Sequence, residues 1–223
     1  MLVQQQLEKV SHVHHNPYYS LEAKGPLLDR VYSMRYRSYS ADDYIDKCDT
    51  KKFMDEYDPR PNCTSYLTYH EKKAIGSIRS CIFDPKCEIN RVPVMDVFEK
   101  ELGDIVGYDK TFIEVNKFVI DPSFQRKGGV KARFCLFKNI IDSLYENNAK
   151  CLVAGIRPEH IKFYKLLNFN PVSDVKSYPH LKFKTLLVVC EDIHNLADKI
   201  YSKANKTLVR ENTDGSLLSY GTH

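Results

Sequence analysis

The sequence predicts a single α/β domain, more fully an α+β fold, in the order helix, hairpin, strand, helix, strand, helix, strand. Three observations carry that prediction. Helical and extended patterns alternate along the chain, and the extended stretches are rich in β-branched and aromatic residues. A length of 223 residues with 43 % hydrophobic content is enough to bury one sizeable core without disulfides. A charged fraction of 28 %, with only 9 Gly and 10 Pro, excludes a low-complexity or disordered chain.

From Leu27 onward, Leu27, Leu28, Val31, Met34 and Tyr39 recur at near-helical spacing around Arg30, Arg35 and Arg37, which predicts an arginine-rich amphipathic helix. Residues 42–62 are acidic and turn-rich. Asp42, Asp43, Asp46, Asp49, Asp55, Glu56 and Asp58 run into Pro59 and Pro61, the pattern of an irregular loop. Thr64 to His70 and Ala74 to Phe83, separated by Glu71-Lys72-Lys73, read as an antiparallel hairpin. Residues 93–103 suggest a short helix, and Thr111 to Ile120 is the strongest strand, closed by Asp121-Pro122. Val130, Phe134, Phe137, Ile141 and Leu144 mark one face of a helix from about Gly128 to Tyr145. Cys151 to Ile156 is a buried strand, Glu159 to Leu167 a short helix after Pro158, and Phe183 to Cys190 another buried strand. This divides the chain into a flexible arm at 1–19, a domain at 20–195, and a polar helix and tail at 196–223.

Composition narrows the function classes. A net charge of +4 is too small to argue for nucleic acid as a partner. No apolar run approaches the roughly 20 residues of a membrane span. Residues 1–19 are polar with no secretory h-region, which predicts a cytoplasmic protein, and seven Cys without a C-x-x-C pair predict reduced thiols. No metal is expected: His12, His14 and His15 lack acidic or Cys partners at ligand spacing, and His70-Glu71 lacks the second His of a zinc helix.

The chemistry concentrates in residues 112–130. There a strand with Glu114 at its middle runs into a loop, Gln125-Arg126-Lys127-Gly128-Gly129-Val130, that opens a helix. Backbone N–H groups and the helix dipole make such a start an anion site, deepened by Arg126, Lys127, Lys131 and Arg133. A solvated basic helix face accounts for the same residues. Glu114 is either a general base or a carboxylate paired with Lys117 or Arg79. Strand alternation puts Glu114 with Phe112 and Asn116 on one face and Lys117 on the other, unless a bulge changes the register.

This stretch resembles the Gln/Arg-x-x-Gly-x-Gly/Ala loop of the GNAT acyltransferase superfamily, with Gln125 and Gly128 in place and Val130 at the last small position. Ile161-Lys162-Phe163-Tyr164-Lys165-Leu166-Leu167-Asn168-Phe169 resembles the superfamily's Phe-Tyr-x-x-x-Gly-Phe helix end, with Asn168, the next most tolerant of a left-handed backbone, in place of Gly. Three further segments are similar to the acyl-homoserine-lactone synthases and the long-chain N-acyl amino acid synthases. They are the Arg- and aromatic-rich helix Arg30 to Tyr39, the acidic loop Asp55-Glu56-Tyr57-Asp58 followed by Gly76-Ser77-Ile78-Arg79, and Glu114-Val115-Asn116-Lys117-Phe118-Val119. The lactone synthases carry a Trp near the first helix. This chain has none, which favours the amino acid branch.

The resemblance implies a three-layer GNAT-like N-acyltransferase domain, with a mixed, twisted central sheet flanked by helices, that moves a long-chain acyl group from an acyl-carrier-protein thioester to the amine of an amino acid or similar small amine. In that reading Glu114 is the base, and Tyr164 either protonates the leaving thiolate or packs with Phe163 and Phe169. Val119, Gln125, Arg126, Lys127, Gly128, Gly129 and Val130 hold the phosphopantetheine. Arg30, Arg35, Asp55, Asp58, Arg79 and Lys117 meet the acceptor. No tightly bound cofactor is implied, with acyl-carrier protein or acyl-coenzyme A as donor substrate. Val130 crowds the pyrophosphate of coenzyme A and favours the carrier protein, which docks on Arg126, Lys127, Lys131, Arg133 and Lys138. The alternatives are an acetyl-coenzyme A transferase, a lactone synthase using S-adenosylmethionine, and a non-catalytic acyl sensor.

Overall fold

Strands β2 (Cys63–His70) and β3 (Lys73–Phe83) form the predicted hairpin at the centre of one half of the sheet. The structure is a computed structural model that describes residues 17–125, 129–178 and 181–210, with side chains up to residue 203. Strand β1 (Tyr18–Glu22) adds antiparallel to β2, and β4 (Phe112–Ile120) adds antiparallel to β3. Strand β5 (Leu152–Ile156) runs parallel to β4, and β8 (Lys184–Cys190) closes antiparallel on β5. Short strands β6 (Asn170–Pro171) and β7 (Lys176–Ser177) pair with β8. The sheet is therefore mixed, as predicted, and all but one of its pairings are antiparallel.

Helices α3 (Gly129–Glu146) and α5 (Ile193–Arg210) cover one face. Ala132, Leu136 and Ile140 of α3 and Leu196 and Ile200 of α5 pack there with Ile75, Ile78, Ile113 and Val115. Helices α1 (Pro26–Ala41) and α2 (Met95–Ile105) cover the other. Leu27, Val31 and Met34 of α1 meet Leu67 and Tyr69, while Phe98 and Leu102 of α2 meet Cys81, Phe112 and Leu187. A 3-10 turn at Pro158–His160 leads into α4 (Ile161–Leu166). Asn168 closes α4 at φ +64°, the left-handed stop expected of it, and Phe169 N–H returns to the Tyr164 carbonyl.

Two boundaries change. Tyr18 and Tyr19, assigned to the arm, begin β1, because a strand too short to register as a periodic pattern is held by its partner β2. Helix α5 crosses the boundary at 195/196, and Leu196, Ala197 and Ile200 are core residues, so it belongs to the domain. The rest of the arm, 1–16, and the tail, 211–223, lie outside the described residues. No helix among the described residues is long and apolar enough to cross a membrane.

Two irregularities shape the centre. Ser77 faces Val119 and Arg79 faces Asn116, so Ile78 alone opposes Lys117 and Phe118, and Lys117 takes a left-handed φ of +50°. This is a β-bulge, with the strain typical of functional sites. Beyond it, β4 and β5 share only the pairs Ile113 to Leu152 and Glu114 to Val153 before they part. Close packing beside the bulge leaves no room at Gly76, where an added Cβ would lie 3.1 Å from the Val119 carbonyl and 2.8 Å from Ile120 Cδ1. We expect Gly76→Ala to cost about 1–3 kcal/mol through overpacking. Urea unfolding checks this, and an unchanged midpoint would show that the strands yield freely there.

Candidate active site

Where β4 and β5 separate, a cavity of about 960 Å³ opens, lined from β4 by Glu114 to Ile120 and from the end of β5 by Gly155, Ile156 and Arg157. Tyr39, Phe53, Phe163, Tyr164, Tyr178 and Phe183 supply aromatic walls. Glu114 sits on its floor with only 2 % of its surface exposed. Its Oε2 accepts the backbone N–H of Val94 at 2.7 Å, and its Oε1 accepts the Asn116 amide at 2.8 Å. Val94 is the N-cap of α2, so one of that helix's unpaired N–H donors is spent on the carboxylate. Burial still dominates and pushes the Glu114 carboxyl up to about 7, against the lowering pull of Asn116 and Val94. Of the two readings of Glu114, the ion pair with Lys117 or Arg79 is not formed: its hydrogen-bond partners are neutral donors.

Behind this floor lies a network of ions. Arg79, 1 % exposed, grips both oxygens of Asp55 at 2.6 and 3.0 Å, reaches Asp58 at 2.9 Å, and donates Nε–H to Asn116 at 2.8 Å. Arg35, with no exposed surface, donates to Asp58 at 2.6 Å and to Ser65 at 2.8 Å. The bulge brings Lys117 round to the same side as Glu114, and its Nζ lies 3.2 Å from Asp55 and 3.8 Å from the centre of the Phe53 ring. Burial alone would raise the Asp55 carboxyl, but Arg79 and Lys117 hold it well below the usual carboxylate range. Burial pulls the Lys117 ammonium down to about 8 despite Asp55.

The structure separates the predicted site residues into distinct groups. Asp55, Arg79, Glu114, Lys117, Val119, Gln125 and Tyr164 all line the cavity. Arg35 and Asp58 lie outside it: their side chains are 0 % and 1 % exposed, Arg35 pairs with Asp58, and Asp58 also pairs with Arg79. Arg30 is exposed on α1 and does not line the cavity, since its place five residues before the buried Arg35 puts it on a different face of the helix. Gly129 is buried at the start of α3, where a Cβ would lie 3.0 Å from the Phe124 carbonyl, and Val130 is 59 % exposed; neither lines the cavity. Arg126, Lys127 and Gly128 lie outside the described residues.

Tyr164 both packs and lines. Its ring meets Phe163 and Phe169 edge to face, and burial pushes its hydroxyl up. Of the basic cluster, Lys138 pairs with Asp142, Lys131 lies over Tyr18, and Arg133 lies over Phe163 at the cavity wall.

Residues invisible to sequence reasoning complete the wall. The Tyr57 hydroxyl donates to Asp96, the Tyr178 hydroxyl to the Pro93 carbonyl, and Arg157 stacks on Tyr44 at 4.1 Å. Asn116 had a legible signal, two residues from Glu114 on one strand face. Val94 acts through its backbone, so its side chain carried none.

Removing Asp58 leaves two buried guanidinium groups short of a partner. We expect Asp58→Ala to destabilise the fold by about 3–5 kcal/mol in denaturant unfolding, and a loss below 1 would mean that the network relaxes around the gap. Asp55 ionises more readily folded than unfolded. Its stabilisation is therefore full above about pH 4 and is lost as pH falls through the lower folded value, which a thermal-melt series in acid should show.

Comparison with known proteins adds the chemistry. The profile of the N-acyl amino acid synthase FeeM family matches residues 30–191. The solved structure of FeeM, an N-acyl amino acid synthase from uncultured soil microbes, superposes with a TM-score of 0.65 at 18 % identity, over 85 % of this chain and 97 % of that one. The coenzyme A-dependent acyl-homoserine lactone synthase MesI gives 0.58 at 12 % identity, over 84 % and 95 %. ElaA of Escherichia coli gives 0.53 at 11 % identity, over 78 % and 98 %. At these identities the likenesses speak to the fold, which is that of the GNAT superfamily. No curated protein matches the sequence significantly. With the family profile spanning most of its length, the chain belongs to the FeeM family of N-acyl amino acid synthases and is an N-acyltransferase.

Proposed function

We propose that this acyltransferase moves a long-chain acyl group from the phosphopantetheine thioester of an acyl carrier protein to the amine of an amino acid or similar small amine. The observation that carries the reading is a buried carboxylate at about 7, on the floor of an aromatic-walled cavity that opens where two strands part. Thioester aminolysis needs a neutral amine, a place for the acyl donor and a proton for the departing thiolate.

Each requirement has a group. Glu114, directly or through a water, takes the proton that the amine loses on attacking the thioester carbonyl. Beyond Glu114 the edge of β4 carries no β5 partner, and an extended arm with two amides, such as phosphopantetheine, is suited to such an edge. Gln125 and Val119 flank that path. The Tyr164 hydroxyl supplies the proton to the thiolate as the carbon–sulfur bond breaks. Arg79 spends its donors on Asp55, Asp58 and Asn116, so the acceptor's carboxylate falls to Lys117, whose ammonium keeps donors beyond Asp55. Asp55, held by two cations, positions Lys117. A volume of about 960 Å³ lies at the upper end for small-molecule sites and suits a long acyl chain.

Intact mass spectrometry of extracts from cells expressing the protein or Glu114→Gln tests the whole reading. We expect a lipophilic series with the masses of a fatty acyl group plus one amino acid, present only with the unaltered enzyme. Its absence from both cultures, together with a rise in melting temperature on adding coenzyme A, would replace the reading by a coenzyme A-dependent transferase.

In purified enzyme, Glu114→Gln should lower kcat by about 10²–10⁴-fold. The rate should climb with pH as Glu114 loses its proton near 7 and fall as Lys117 loses its charge near 8. Lys117→Arg keeps its charge and should abolish the alkaline fall, and an unaltered profile would remove Lys117 from acceptor binding.

A further inference from the structure

Outside the cavity, two free cysteines face each other across the hairpin, Cys63 of β2 and Cys81 of β3. They are direct cross-strand partners, and their sulfurs lie 2.7 Å apart. The adjoining pair is joined by Ile82 N–H to the Asn62 carbonyl at 2.8 Å. Hydrogen-bonded and non-hydrogen-bonded pairs alternate along an antiparallel ladder, so Cys63 and Cys81 occupy a non-hydrogen-bonded pair, where Cα atoms approach to about 4.5 Å. That separation falls inside the range a disulfide bridges. Cys63 is half-buried at the strand start, whereas Cys81 is fully buried.

We propose that Cys63 and Cys81 form an oxidisable dithiol that a peroxide closes into a disulfide, and that closure is felt at Glu114. The Cys63 thiolate attacks one peroxide oxygen, breaking the O–O bond to give a sulfenic acid and hydroxide. Cys81 sulfur then attacks the Cys63 sulfur and displaces the second oxygen, which leaves as water with the remaining protons. In total two thiols and one hydrogen peroxide become one disulfide and two waters. Each sulfur loses one electron and each peroxide oxygen gains one.

The link to the site is short. Cys81 is the register partner of Glu114, and its sulfur lies 3.7 Å from Asn116 Nδ2, the same nitrogen that donates to Glu114. Drawing the sulfur toward Cys63 removes one of the two acceptors of that amide.

The test treats the full chain with hydrogen peroxide, alkylates free thiols in denaturant, where buried and exposed thiols react alike, and maps peptides by mass spectrometry. Expected is a Cys63–Cys81 linked peptide lighter by two hydrogens, two of the seven cysteines protected from alkylation, and full recovery with dithiothreitol. Cys81→Ser should leave a sulfenic acid on Cys63 that dimedone traps. Cys63→Ser should keep its turnover and lose the link, and Cys63→Ala, checked by its melting temperature, replaces it should the serine fail to fold. Both thiols alkylated after peroxide, or a sulfinic acid on Cys63 beside a free Cys81, would overturn the proposal.

The coupling to Glu114 rests on the acyltransfer reading. The oxidised enzyme should show a reversible shift in the acidic limb of its pH–rate profile, and a linked pair with an unmoved limb would overturn the coupling. Thiol mapping needs no substrate, so failure of that reading and failure of the dithiol are separable.

Discussion

Two arginines sealed from water set the terms of this structure. Arg35 comes from α1 and Arg79 from β3, and neither can give up its charge, so each must find carboxylates inside the protein. Asp55 and Asp58, from the acidic loop, supply them. One network thereby ties the first helix, a loop with no regular structure of its own, and the centre of the sheet into a single unit. Its desolvation cost is met by near-complete pairing: the network's geometry is bidentate at Asp55, and Ser65 and Asn116 take further donors.

That network also sets the electrostatics at the cavity floor. Asn116 is shared between Arg79 and Glu114, accepting from one and donating to the other. The arginine's charge is thus spent on aspartates, and Glu114 meets only neutral donors. A carboxylate in that setting is governed by burial and sits close to neutrality, where it can take a proton and return it. On the other side, the strained backbone at Lys117 turns an ammonium into the same cavity. A carboxyl group near neutrality and an ammonium therefore meet in one cavity through one bulge and one ion network.

Much of the fold was legible. The hairpin, the strand through Glu114, the helix after it and the two buried strands all carry strong local patterns, and each forms close to its expected bounds. Strand β1 was not, since five residues of mixed polarity become a strand only beside β2. The polar appearance of the last helix also misled, because Leu196, Ala197 and Ile200 suffice to bury one stripe of an otherwise charged helix. Within the site, Glu114 and Lys117 stood out as charges in an apolar strand, and Arg79 and Asp55 as opposite charges in neighbouring segments. Arg30 and Arg35 looked alike, and only the rotation of α1 against the sheet tells them apart.

The sequence by itself determined the order of elements, the residue types available for acyl transfer and the left-handed stop at Asn168, because these depend on contacts within a few residues. Tertiary structure decided which charges would pair, which strand pair would open into a cavity, and that Glu114 would be held by a helix N-terminus and an amide. Those outcomes turn on distances between segments far apart in the chain, and on how much water each group retains. No local pattern encodes either quantity.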